Sequence, residues 1–193
     1  ANTKMKTIFW NVDTQYDFMR DDKDYKGKLP VPGAREIEGH LEKLTQLAKE
    51  KNIQVVNTAD WHTMQSGELS ENPDFKTTFP PHCLQYTLGA IFVPATNPEE
   101  PYVIDWQQKE FDEEKVKNNR NLVLYKDKFG IFQGTPHANR VVEIIKPERA
   151  IVYGVATNVC VDFAVRGLLE RKIEIYVPID AIKELPNLPL PLK

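Results

Sequence analysis

A chain of 193 residues, 41% hydrophobic and 27% charged, is long enough for one domain with a full core. The net charge of −3 and the lack of a dense Lys/Arg cluster argue against nucleic acid or anionic membrane as a partner. No apolar run reaches the roughly 20 residues that cross a bilayer. The opening residues, ANTKMKTIFWNVD, lack the apolar core of a signal peptide, so a cytoplasmic protein with one domain over 1–193 is expected. Two widely spaced cysteines, Cys83 and Cys160, argue against a disulfide scaffold in that setting.

Short β-branched and aromatic runs alternate with helical patterns along the chain. Lys6–Val12 (KTIFWNV) reads as a buried strand. After the turn LPVPGA, Ile37, Leu41, Leu44, Leu47 and Ala48 mark one helical face. Ile53–Asn57 is the next strand, and the long proline-containing stretch from Trp61 to Pro101 reads as functional loop. Strands follow at Tyr102–Ile104 and Asn121–Tyr125, then a helix over Pro136–Ile145. Arg149–Tyr153 is a strand, Asn158–Arg171 a helix and Ile173–Pro178 a last strand, before a proline-rich tail, Leu185–Lys193. The alternation predicts an α/β fold: a single three-layer α/β/α domain with a mostly parallel, doubly wound sheet.

Such sheets bind ligands beyond the carboxyl ends of their strands. Asp13, Asp60, Lys126 and the segment Gly154–Cys160 all fall there. Cys160 would begin a helix, where free N–H groups favour a thiolate and can hold an oxyanion. Taken singly, it reads more readily as a thiol packed under the sheet. Asp13 can take a thiol proton, and Lys126 can keep both anions charged. Asp60 and His62, two apart on an extended segment, are two potential metal ligands on one side of it, with His82 a candidate third. One carboxylate and two imidazoles suit zinc, iron, manganese or cobalt. Glu71 or Asp74 can add a fourth ligand, and His40 and His137 read as surface residues on helices.

The ordered blocks VDTQYDF, TADWH, FPPHCLQYTLGA, LYKDKFGIF and GVATNVCV together resemble the isochorismatase-like cysteine hydrolases, nearest the nicotinamidase/pyrazinamidase branch. The likeness runs from Lys6 to about Ala181. It implies the isochorismatase-like fold, Asp13 as general acid/base, Lys126 (rather than Lys128) as its partner and Cys160 as nucleophile. It also implies a cis peptide at Val155–Ala156, with the Ala156 and Cys160 N–H groups as the oxyanion hole. Asp60, His62 and His82 match the ligands of a divalent metal, zinc first, with iron, manganese or cobalt as alternatives. Phe18, Phe79 and Val155 fall at substrate contacts, the two phenylalanines where aromatic rings sandwich a pyridine. Three positions depart from the branch: DWHTMQSGELS lacks a second histidine, Tyr86 replaces a glycine and Phe79 a tryptophan.

The expected activity is deamidation of nicotinamide, or a pyrazinamide-like aromatic amide, through a thioester on Cys160. A rival keeps the triad for another small amide, an N-carbamoyl compound or an isochorismate-like ether. A third reading is a non-catalytic binding protein on the same fold. The expected partners are a small aromatic amide and, by the family's habit, further copies of the chain.

Overall fold

The computed structural model describes Met5–Pro186 and Leu188. Among the described residues, seven strands form one sheet: β1 (Thr7–Val12), β2 (Val55–Asp60), β3 (Tyr102–Ile104), β4 (Asn121–Lys126), β5 (Arg149–Val155), β6 (Glu174–Tyr176) and β7 (Ile182–Lys183). Their order is β3-β4-β2-β1-β5-β6, with β7 beside the end of β5, and every pairing is parallel. The chain steps from β1 to one side of the sheet and later from β4 to the other. That reversal opens a crevice at the carboxyl ends of the central strands.

Alternation along β1 assigns its side chains to the two faces. Ile8, Trp10 and Val12 pack with α3 (Glu113–Asn118), α5 (Ala138–Ile145) and α6 (Asp162–Glu170) through Val116, Val141, Ile145 and Leu168. Phe9 points the other way, into a cluster with Leu41 and Ala48 of α2 (Glu38–Glu50) and with Phe18 and Met19 of α1 (Tyr16–Met19). Each buried aliphatic chain contributes about 1.5–3 kcal/mol. Two apolar faces therefore fix the sheet as the middle of three layers.

Differences from the sequence reading lie at element ends. β2 runs to Asp60, not Asn57, and β4 to Lys126, which places both polar residues inside their strands. Three short helices carry too few apolar repeats to be read: α1, α3 and α4 (Ile131–Gly134). The segment expected to be α-helical from Asn158 opens instead with a wide π-type turn, Thr157–Val161, closed by Val161 N–H donating to the Ala156 carbonyl at 3.1 Å. Such turns are frequent at functional sites. His137 is buried, not on the surface, and its Nε2 bonds the Gln108 carbonyl at 2.6 Å. His40 is exposed as expected. Of the tail, residues beyond Leu188 lie outside the described residues.

Candidate active site

Side chains from four strand ends meet in the crevice. Lys126 Nζ lies 2.8 Å from Asp13 Oδ2, 2.5 Å from Asp60 Oδ1 and 3.7 Å from Cys160 Sγ, and it donates to the Lys128 carbonyl at 3.0 Å. All four side chains are almost fully buried. Lys128 thus contributes its backbone, while its side chain lines an outer groove. Asp13 takes a positive φ of 51° directly after β1, a conformation to which Asp is better suited than most residues. Its Oδ1 accepts from Thr58 Oγ1 at 2.7 Å. Gly154 lets β5 approach β1 here: a Cβ would stand 2.2 Å from the Val12 carbonyl oxygen.

Two further residues of the first block, Gln15 and Asp17, hold the neighbouring strand and loop. Gln15 clamps the backbone of Asp60, accepting its N–H at 2.9 Å and donating to its carbonyl at 2.8 Å. Asp17 accepts Cys83 N–H at 2.8 Å and so fixes the loop that carries His82. Gly89 is required beside it, since a Cβ would fall 2.0 Å from the Asp17 carboxylate. A parallel bridge, His62 N–H to the Cys83 carbonyl at 3.0 Å and Gln85 N–H to the His62 carbonyl at 2.9 Å, brings the two histidines together.

Asp60 Oδ2 lies 3.2 Å from His62 Nε2 and 3.4 Å from His82 Nε2, and the three ligand atoms are all within 4.8 Å of one another. His82 Nδ1 donates to the Pro80 carbonyl at 2.7 Å, which leaves Nε2 as the ring nitrogen that faces Asp60. His62 Nδ1 is likewise engaged, by Asp127 Oδ1 at 2.8 Å. Donors bound about 2.0–2.2 Å from a tetrahedral zinc stand about 3.3 Å apart, and Asp60 Oδ2 stands at that spacing from each imidazole. The residues therefore fit a divalent cation, with Asp127 and the Pro80 carbonyl setting the ring tautomers. Neither proposed fourth ligand joins them. Glu71 is exposed, and the Asp74 carboxylate is taken by the N–H groups of Lys76, Thr77 and Thr78.

The electrostatics separate the groups. Burial works against a charged Asp60, but Lys126 and the two histidines outweigh it and hold the carboxyl well below its usual range. Burial also opposes the Lys126 ammonium, yet Asp13 and Asp60 raise it well above normal. Burial pushes Asp13 up against the pull of Lys126. The Cys160 thiol is pushed well above its ordinary value by burial and then by Asp13. Burial therefore opposes the thiolate that the turn's N–H groups favour, and Asp13 is the base expected to take the thiol proton. His62 is lifted to about 9, Asp60 and Asp127 outweighing burial, so the pocket attracts positive charge.

Phe18, Phe79, Val155, Ala156 and Cys160 line one small cavity of about 20 Å³ together with Leu185 of the tail. The sequence-assigned substrate contacts are thus gathered around the thiol, and the Val155–Ala156 peptide is cis. Sequence reasoning missed Gln15, Asp17, Asp127 and Glu68. Glu68 is half-buried, accepts Phe129 N–H at 3.0 Å through Oε2, and has a buried Oε1 without a partner. The first block carried a signal for Gln15 and Asp17, three polar residues at alternate positions of a buried stretch; Glu68 gave none.

An isochorismatase domain profile matches residues 7–188. The chain belongs to the isochorismatase family of hydrolases. Among solved structures, the pyrazinamidase of Pyrococcus horikoshii in complex with zinc is 26% identical, with 94% of this chain and 88% of that one covered and a TM-score of 0.71. The N-carbamoylsarcosine amidase of Thermoplasma acidophilum shares the fold at 18% identity, with 95% and 87% coverage and a TM-score of 0.72. A nicotinamidase/pyrazinamidase of Bacillus subtilis does so at 23% identity, 93% and 87% coverage and a TM-score of 0.69. No curated protein matches the sequence. Among the described residues, no helix is long and apolar enough to cross a membrane.

Proposed function

We propose that the chain is a metal-dependent cysteine amidohydrolase that deamidates nicotinamide or a similar one-ring aromatic amide. The observation that carries this reading is the meeting of Cys160, Asp13 and Lys126 beside Asp60, His62 and His82. The likeness to a zinc-bound pyrazinamidase supports it.

Because the thiol rests protonated, attack needs a base at hand, and Asp13 is that base. Asp13 takes the thiol proton as Cys160 Sγ bonds to the carboxamide carbon. The carbonyl electrons move onto oxygen, which the Ala156 and Cys160 N–H groups receive. Collapse breaks the C–N bond, and Asp13 returns its proton to the leaving nitrogen, giving ammonia and a thioester. Water then adds with Asp13 as base; the C–S bond breaks, the acid leaves, and the thiol is restored. Lys126 keeps Asp13 ionised at the start of each half. Asp60, His62 and His82 would hold the cation, zinc first and iron, manganese or cobalt as alternatives, which when bound supplies a Lewis acid for the substrate's ring nitrogen.

The same machinery serves an N-carbamoyl substrate, a reading favoured by the fold shared with N-carbamoylsarcosine amidase. The deciding experiment is ammonia release from nicotinamide, pyrazinamide and N-carbamoylsarcosine by the metal-loaded protein. Activity on nicotinamide that Cys160→Ala abolishes is the expected result. Full activity in Cys160→Ala refutes the nucleophile, whereas cleavage of the carbamoyl compound alone refutes only the substrate. Cytoplasmic location and self-association remain part of this proposal, and a sedimentation measurement tests the second.

A further inference from the structure

The cavity at Cys160 measures about 20 Å³. A site of that size holds about one water molecule, so an aromatic amide enters only if a wall moves. Most walls are tied into the core. Phe18 belongs to the buried cluster on the α2 side of the sheet, His82 is fixed through the loop that Asp17 holds, and Val155 belongs to β5. Leu185 differs. It follows the last strand pairing, where Gly154 and Val155 face Ile182 and Lys183, and an exposed Glu184 separates it from β7.

Both backbone polar groups of Leu185 bond to one side chain. Asn158 Nδ2 donates to the Leu185 carbonyl at 2.9 Å, and Asn158 Oδ1 accepts the Leu185 N–H at 3.0 Å. The same Nδ2 reaches the Leu188 carbonyl at 3.3 Å. An amide side chain is suited to this, because it offers donors and acceptors together. Asn158 stands two residues before Cys160, in the turn that carries the nucleophile. On the outer side, Val159, Phe79 and Phe129 are shared with a groove of about 710 Å³ that Asn158 and Leu188 also line. Phe79, Phe129 and Val159 thus stand between the two spaces, with Leu185 on the cavity side and Leu188 on the groove side, both held by Asn158.

We propose that Leu185 is the movable wall that sets the size of the amide admitted to Cys160, and that Asn158 is the positioning residue that latches it. The proposal rests on Cys160 as the reactive thiol of the function proposed above. It deepens that reading by limiting substrates to those a yielding leucine can seal.

Peptide-resolved alkylation tests the wall without any amide being turned over. Cys160 is alkylated with iodoacetamide and with the bulkier N-phenylmaleimide, while the fully buried Cys83 reports whether the fold stays closed. Leu185→Ala and Asn158→Ala are expected to raise the bulky-to-small rate ratio at Cys160 by about tenfold, the scale on which apolar pockets discriminate size. Leu185→Trp lowers the ratio, and Cys83 stays unreactive throughout. A ratio in Leu185→Ala equal to that of the wild type overturns the wall. A raised ratio in Leu185→Ala but not in Asn158→Ala overturns the latch. A protein inert toward all amides sinks the proposed function and leaves these ratios as readable as before.

Discussion

Asp60 and Lys126 are cross-strand partners, in register at the ends of β2 and β4, and their side chains meet at 2.5 Å. In-register residues of parallel neighbours point to the same face, so the pairing itself aims both groups into the crevice. Asp60 then divides its two oxygens. Oδ1 faces the ammonium that also holds Asp13, and Oδ2 faces the two imidazoles. One carboxylate thus joins the thiol cluster to the cation site.

Replacing Asp60 by Asn should disable both halves. We expect the variant to lack stoichiometric metal by elemental analysis and to stay inactive in excess metal. His82→Ala should regain part of its activity as metal is raised, since its Lys126 cluster is intact. Equal recovery in the two variants would contradict the shared role.

Lys126→Met leaves Asp13 and Asp60 buried without their cation. Breaking a buried pair in this way costs about 3–5 kcal/mol, to be read from urea denaturation. Adding Asp13→Asn should return part of that loss, because it removes one of the stranded charges. A single variant as stable as the wild type would show that the pair is not held as described.

Burial raises Asp13 above its ordinary value of 3.8. Activity needs Asp13 ionised before it can accept the thiol proton. As pH falls, kcat/KM should therefore drop through an apparent pKa above 3.8, a value belonging to the coupled Asp13–Cys160 unit. The thiol itself is pushed well above 9.0, so its ionisation removes no activity on the alkaline side below that pH. A pH-rate profile with its acid limb at or below the ordinary carboxylate value would exclude this assignment.

Asp127 accepts from His62 Nδ1 and from Ser66 Oγ without being a ligand. Asp127→Asn should weaken metal binding about 10–100-fold, the usual effect of losing such a partner. Competition with a chelating dye measures it, and unchanged affinity would remove Asp127 from the site.

Glu68 gives a stability prediction of known sign. Burial, then the charge of Asp60, raises it from 4.5 to about 7. The folded state binds this proton more tightly than the unfolded one, so the contribution is present below 4.5 and lost as pH rises through about 7. In metal-free protein, Glu68→Gln should raise Tm relative to wild type at about pH 8 and change it little near pH 4.5. An equal Tm difference at both pH values would show that Glu68 does not titrate as described.

The sequence alone determined the three layers, because apolar periods of 2 and 3.6 residues leave few ways to bury so many runs. It also determined the chemical groups: the blocks around Asp13, Asp60, Lys126 and Cys160 name a thiol, an acid, an amine and ligands before any contact is known. Periodicity weakens where strands turn polar, which is why β2 and β4 looked shorter than they are. Only the tertiary structure decided how the groups are charged and held. The burial that leaves Cys160 a thiol, the split service of Asp60 and the closing of Leu185 by Asn158 depend on distances between residues far apart in the chain. Local pattern carries no record of those distances, since they are set by how the layers pack.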